Sequence, residues 1–221
     1  PVPEDVDYTI FMICSAYFHQ HSTEAMYTAC AVDSATNARA GIDVVVECGT
    51  EIKVLDAHME IMGRMAPDIV GAYNGSCFDW PLYRKQLERA NLLVKLKSKF
   101  SSLPLTEQGR YADTNKSVSD WSFRTEKVKI DAETTRMLDC VAEFPGMLDT
   151  DVMPVFMKLY PRAEVGKGAS LNFFLEKNKL SPKDDMPYRR MFAIYERSLL
   201  FADIVNCHCG DAQQDCSLCK T

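Results

Sequence analysis

One carboxylate in the stretch "NGSCFDWP" (74–81) sits between two aromatics: Asp79, flanked by Phe78 and Trp80. The preceding "DIVGAYN" (68–74) reads as a strand and the following "DWPLYRKQLERANLL" (79–93) as a helix with Leu82, Leu87 and Leu93 among its apolar positions. Asp79 therefore falls just past the carboxyl end of a strand and in the first turn of a helix, where open α/β sheets bind ligands. The positive end of a helix dipole favours the ionised form there. An ionised carboxylate so placed suits a divalent cation, Mg²⁺ or Mn²⁺, and is a natural member of a two-metal phosphoryl-transfer site. The plainer alternative is a helix N-cap, for which Asp is a preferred residue; the motif taken alone favours the cap.

A second group of chemistry-bearing residues closes the chain: Cys207 and Cys209 in C-x-C, then Cys216 and Cys219 in C-x-x-C, around a short loop with Gly210 and Asp211. Four thiolates at this spacing match a closed tetrahedral zinc site, whose metal would hold together a loop that has no apolar core. Its role would be structural, since no open coordination position is implied. Reduced cysteines in an insertion are the alternative. The other five of the nine cysteines, Cys14, Cys30, Cys48, Cys77 and Cys140, lie scattered in apolar surroundings, the pattern of a reducing compartment.

A third candidate is the basic run "RKQLERANLLVKLKSK" (84–99), with Arg84, Lys85, Arg89, Lys95, Lys97 and Lys99. It could line the path of a nucleic-acid strand near Asp79. It is at least as well read as the solvated face of a helix and its exit loop.

The elements that would position these groups form a mixed α/β pattern. "VDYTIFMICSAYFH" (6–19) is too apolar for a one-sided strand and reads as a central one. "AMYTACAVD" (25–33) and "IDVVVEC" (42–48) follow, with "SATNARAG" (34–41) between them, and three strands in a row predict an antiparallel meander. From Glu51 to Ala66, Ile52, Leu55, Met59 and Met62 recur at helical spacing, with Thr50 as N-cap and Pro67 as the stop. Met59, Met62 and Met65 read as core. The segment 95–127 turns polar and predicts a loop or insertion, while "TEKVKIDAET" (125–134) alternates like one arm of a hairpin. "SLNFFLEKNKL" (170–180) and "PYRRMFAIYERSLLFADIV" (187–205) are helical by period, and 205–221 forms a cysteine-rich insertion.

With 221 residues, 47% apolar content and 25% charge, the chain has the material for one good core. The net charge of -6 excludes a global basic field, so any polynucleotide binding must be local. No apolar run approaches the roughly 20 residues that cross a bilayer, so no membrane association is expected, and the N-terminus "PVPEDVDY" lacks secretory character. An intracellular protein is expected, and the start at Pro1 suggests a processed product or a piece of something longer.

"YNGSCFDWP" resembles the second exonuclease motif, Asn-x-x-x-Phe-Asp-x-Pro, of the family B DNA polymerases. Further segments agree in order: "MICSAYF" looks like the strand after the family's first motif, and "GMLDTDVMPVFMKLYP" like the stretch before "SLNFFLEKNKL". "KVKIDAET" and "DDMPYRRMFAIYE" are most similar to the polymerases of nucleocytoplasmic large DNA viruses. The resemblance implies a ribonuclease H-like mixed sheet, an antiparallel meander plus a parallel strand, with flanking helices. It implies 3′→5′ proofreading in DNA replication, with Asp79 as a catalytic Mg²⁺ ligand and Asn74 and Phe78 gripping the single-stranded 3′ end, Phe78 by stacking on a base. Implied partners are the primer-template DNA and the remainder of a polymerase chain, in a host nucleus or a cytoplasmic viral factory.

The chain departs from the family pattern at Cys77, where cellular relatives usually carry Asn for a polar contact to the strand. It also holds neither an Asp-x-Glu before Asp79 nor a Tyr-x-x-x-Asp; "DAE" (131–133) follows motif two, so Asp131 and Glu133 read as surface residues. Residues 1–221 are thus expected to be a partial exonuclease domain, inactive alone, with Asp79 as one of four site carboxylates. The alternative expectation is a non-catalytic, exonuclease-like module whose zinc knuckle binds a partner protein.

Overall fold

Alternating apolar residues build the first strand, β1 (Met12–Tyr17), which pairs antiparallel with β2 (Tyr27–Val32) and sets Cys14 opposite Cys30. In the computed structural model the residues described are 8–36, 41–100, 123–144, 146–160, 170–181, 186–187 and 189–198. β3 (Val44–Glu47) joins β2 in parallel, with Ala29 opposite Val44, so the third strand does not continue a meander. The connection 33–43 is long enough for this: at about 3.3 Å per residue it can return along a strand of six residues before pairing begins again. The mixed α/β class expected from the sequence stands, with one more parallel pair than the meander allows.

Helix α1 (Glu51–Met65) begins where Thr50 accepts a hydrogen bond from the Lys53 amide at 3.4 Å. It ends at Ala66, whose left-handed backbone (φ 43°) breaks the helix before Pro67. Val54, Leu55, Met59 and Met62 are its buried stripe. Ile52, assigned to that stripe by spacing, is instead 57% exposed. The helix packs on the first sheet and on α3 together, which rotates the buried face onto Val54.

The second sheet has the order β4-β7-β6-β5, from β4 (Ile69–Ala72), β5 (Phe123–Lys129), β6 (Thr135–Phe144) and β7 (Met147–Asp151). β5 and β6 form the hairpin whose first arm was legible at 125–134. At its tip the exposed Asp131 accepts from the amides of Glu133 (2.9 Å) and Thr134 (2.7 Å), a turn role that agrees with reading Asp131 and Glu133 as surface polar. β4 and β7 are parallel, and Ala72 stands opposite Asp151.

Between β4 and β5 lie a 3₁₀ turn (Gly75–Cys77), α2 (Asp79–Arg89) and α3 (Leu93–Phe100). The loop expected over 95–127 is thus corrected at both ends, 95–100 belonging to α3 and 123–127 to β5, while 101–122 lie outside the described residues. The lysines of α3 hid an amphipathic turn in which Leu96 and Phe100, four residues apart, are both buried. The chain continues through α4 (Val152–Leu159), α5 (Leu171–Lys177) and a helix over 189–198.

The largest core cluster joins Leu55, Met59 and Met62 of α1 to Trp80, Tyr83 and Leu87 of α2 and to Phe123, Ala142 and Phe144 of the second sheet. Truncating a fully buried member such as Leu87 to Ala costs about 2–5 kcal/mol in cores of this kind. This packing fixes the head of α2 against β6 and β7.

Candidate active site

The turn that presents Asp79 is built from three constraints. Asn74 takes the left-handed conformation (φ 63°), which Asn tolerates better than most residues, and reverses the chain as it leaves β4. At Gly75 a Cβ would lie 2.5 Å from the Ala72 Cβ and 3.6 Å from the Asp79 Oδ2, so only glycine lets the turn close this tightly. Phe78 then occupies the N-cap position of α2 with φ -133° and ψ -64°, and its ring is left exposed.

Asp79 is the first helical residue and makes no capping bond, so the cap reading of this carboxylate falls. The residue keeps an exposed surface. Desolvation against the packed turn nevertheless raises its pKa; its own backbone N–H works the other way, and the negative charge of Asp151 adds to the rise. The direction is opposite to the one expected from the helix dipole.

Asp151, at the end of β7, ties the turn down. Its Oδ1 accepts from the Asn74 amide at 2.9 Å and from Met153 N, the first turn of α4, at 3.0 Å. Its Oδ2 accepts from the Ser76 amide at 3.3 Å and from the buried Ser76 hydroxyl. Two residues earlier, Asp149 accepts from the Trp80 indole N–H at 3.0 Å and from the Ala142 amide at 2.9 Å. Burial pushes the Asp149 pKa up, opposed by those two bonds. One carboxylate thus fixes the turn and the other the second residue of α2.

Arg136 of β6 completes the cluster. Its terminal nitrogen donates to Asn74 Oδ1 and lies 3.8 Å from Cys77 Sγ. Cys77 Sγ in turn donates to the Met137 carbonyl at 3.4 Å. The structure therefore gathers Asn74, Phe78 and Asp79 on one turn and adds Asp151 and Arg136, which the sequence reading missed. Asp151 carried a signal, an Asp immediately before the helical run 152–159; Arg136 carried none, because strand pairing alone brings it here.

As a cation site the cluster has one available carboxylate. Asp151 already spends both oxygens on four donors, which leaves Asp79 as the group with a free face. Asp79 fits as one ligand of a divalent cation, and among the described residues no three ligating side chains converge. Cys207, Cys209, Cys216 and Cys219 lie outside the described residues.

The basic run does not line the site as a free patch. Lys95 pairs with Asp56 and lies 3.8 Å from Glu60, Lys99 pairs with Glu60 at 2.9 Å, and Arg84 pairs with Glu88 at 2.7 Å. Acids of α1, remote in sequence, neutralise Lys95 and Lys99. Among the described residues no helix is long and apolar enough to cross a membrane.

Residues 1–149 match the family model of the DNA polymerase family B exonuclease domain, a span that contains Asn74, Phe78, Asp79 and Arg136. The chain belongs to this family. Among its relatives is the DNA polymerase beta of African swine fever virus, 30% identical over 216 residues in a warthog isolate from Namibia, covering 97% of this chain and 17% of that protein. A pig isolate from Kenya is 31% identical over the same length, and the DNA polymerase of Archaeoglobus fulgidus is 31% identical over 107 residues, 47% of this chain and 13% of that protein. The chain spans 17% of the length of that Namibian relative. Members of this exonuclease family generally use divalent metal ions, which agrees with the free carboxylate of Asp79.

Proposed function

We propose that this chain is the proofreading region of a viral replicative DNA polymerase, which removes mispaired nucleotides from a primer 3′ end in the 3′→5′ direction. In this reading Asp79 is a catalytic carboxylate and binds Mg²⁺ or Mn²⁺; the metal, when bound, supplies the charge that activates water and stabilises the departing 3′ oxygen. Phe78 stacks on a terminal base, and Asn74 orients the frayed strand. Asp151 holds the turn that carries all three. The remaining metal ligands would come from an Asp-x-Glu and a Tyr-x-x-x-Asp elsewhere in the parent protein, which would also supply the polymerase and contact the primer-template.

The observation that carries the reading is Asp79 itself: a carboxylate at the head of a helix, held by a pinned turn, unused as a cap and beside an exposed aromatic. The test is hydrolysis of a mispaired 3′ end by the product of the full reading frame that contains this chain. Wild type is expected to trim the mismatch with Mg²⁺ and Asp79→Ala to lose trimming while retaining DNA synthesis.

Zinc on Cys207, Cys209, Cys216 and Cys219 is proposed from their spacing alone, as a structural site in the same protein. Metal analysis of the purified protein tests it; a Cys216→Ser, Cys219→Ser variant should lose the bound zinc.

A further inference from the structure

We propose that Arg136 is a strand-binding residue of this site, which takes a backbone phosphate of the single-stranded 3′ end. The inference rests on the exonuclease reading and extends it to a residue outside the recognised motif. Arg136 is half-buried on β6, and its guanidinium reaches the turn that holds Asn74 and Cys77. Both of these partners are neutral. Among the described residues no carboxylate pairs with Arg136, and its Nε is buried without a hydrogen-bond partner.

A guanidinium stays charged at any relevant pH, and withdrawing it from water without a counter-charge is costly. The arrangement is satisfied by an anion that arrives from outside. A phosphodiester suits the planar fork of donors, and the exposed Phe78 ring beside Cys77 offers the stacking surface for the attached base. On a protein of net charge -6, Arg136 sets a cation against the turn that carries Asp79.

The test uses the product of the full reading frame and a 5′-labelled oligodeoxythymidylate as the exonuclease substrate, at several salt concentrations. Arg136→Gln keeps a donor for Asn74 and removes the charge; Arg136→Lys keeps the charge and loses the fork; Arg124→Ala, on a residue paired with Glu126, is the control. Arg136→Gln is expected to raise KM about tenfold, the order expected for a lost charged hydrogen bond, with kcat within about twofold. The slope of log affinity on log salt should shrink by about 0.7, the value for one phosphate contact to a single strand. Arg136→Lys should restore the slope and only part of the affinity, and Arg124→Ala should change neither. An Arg136→Gln enzyme with wild-type KM and salt slope overturns the inference while leaving the exonuclease reading intact, and so does an equal effect from Arg124→Ala. A wild-type protein that degrades no single strand removes the exonuclease reading and this inference with it.

Discussion

Asp151 at the end of β7 accepts a hydrogen bond from the backbone N–H of Asn74 at 2.9 Å, across 77 residues of sequence. That contact, with the two from Ser76, converts a flexible strand-to-helix turn into a fixed mount for Asp79. Asp151→Ala leaves the amides of Asn74 and Ser76 and the first turn of α4 without their acceptor. It is expected to cost about 2–4 kcal/mol, by the usual penalties for lost charged hydrogen bonds and a lost N-cap. Chemical denaturation of the two proteins measures it.

Gly75→Ala should fail for a different reason. Its Cβ would approach the Ala72 Cβ to 2.5 Å, and neither β-carbon can move without its backbone. The turn must open, at about 1–3 kcal/mol by analogy with overpacked cores, and carry Asp79 away from its position. Exonuclease rate and thermal midpoint should fall together.

Asp79 should destabilise the metal-free protein at neutral pH. Its folded pKa is raised by desolvation and then by Asp151, so the folded state binds the proton more tightly than the unfolded chain does. The resulting stability is present below the ordinary carboxylate pKa of about 3.9 and is lost as pH rises through the raised value. Asp79→Asn should therefore increase the thermal midpoint at pH 7 without metal and leave it unchanged near pH 3. Added Mg²⁺ should stabilise wild type and not the variant.

The turn was legible in sequence because its elements are local. Strand β4 and the helix after Asp79 are both read from neighbours, and Thr50 and Pro67 bracket α1 for the same reason. What escaped was non-local. Lys95 and Lys99 looked like a basic patch because Asp56 and Glu60 belong to another helix. Arg136 and Asp151 reach Asn74 only through the β4-β7-β6 order, and the parallel pairing of β3 depends on how a connection returns rather than on its composition.

His58 gives a second pH signature, separate from the site. Burial pushes its pKa down to about 4, and its ring nitrogen shares a 2.9 Å hydrogen bond with the Tyr83 hydroxyl. The folded state therefore holds it neutral. Stability is full above the unfolded value of about 6.5 and is lost as pH falls toward the folded one, by on the order of 3 kcal/mol from this residue. A His58→Gln variant should show a flatter midpoint-versus-pH curve between about 6.5 and 4.

Lys95→Ala and Lys99→Ala should leave binding of single-stranded DNA within about twofold of wild type, because both charges are already paired with α1, and should each change stability only slightly, since exposed ion pairs contribute little. Anisotropy of a labelled oligonucleotide and thermal melting read the two effects.

Asp79 stands at the centre of the proposed exonuclease chemistry. Its direct test is the rate at which the product of the full reading frame removes a mispaired 3′ nucleotide with Mg²⁺, compared between wild type and Asp79→Ala under conditions where both extend a matched primer. The expected result is a loss of about a hundred- to a thousandfold in removal, the order expected when a group that stabilises transition-state charge is deleted, with extension retained. Removal at the wild-type rate by Asp79→Ala would contradict it.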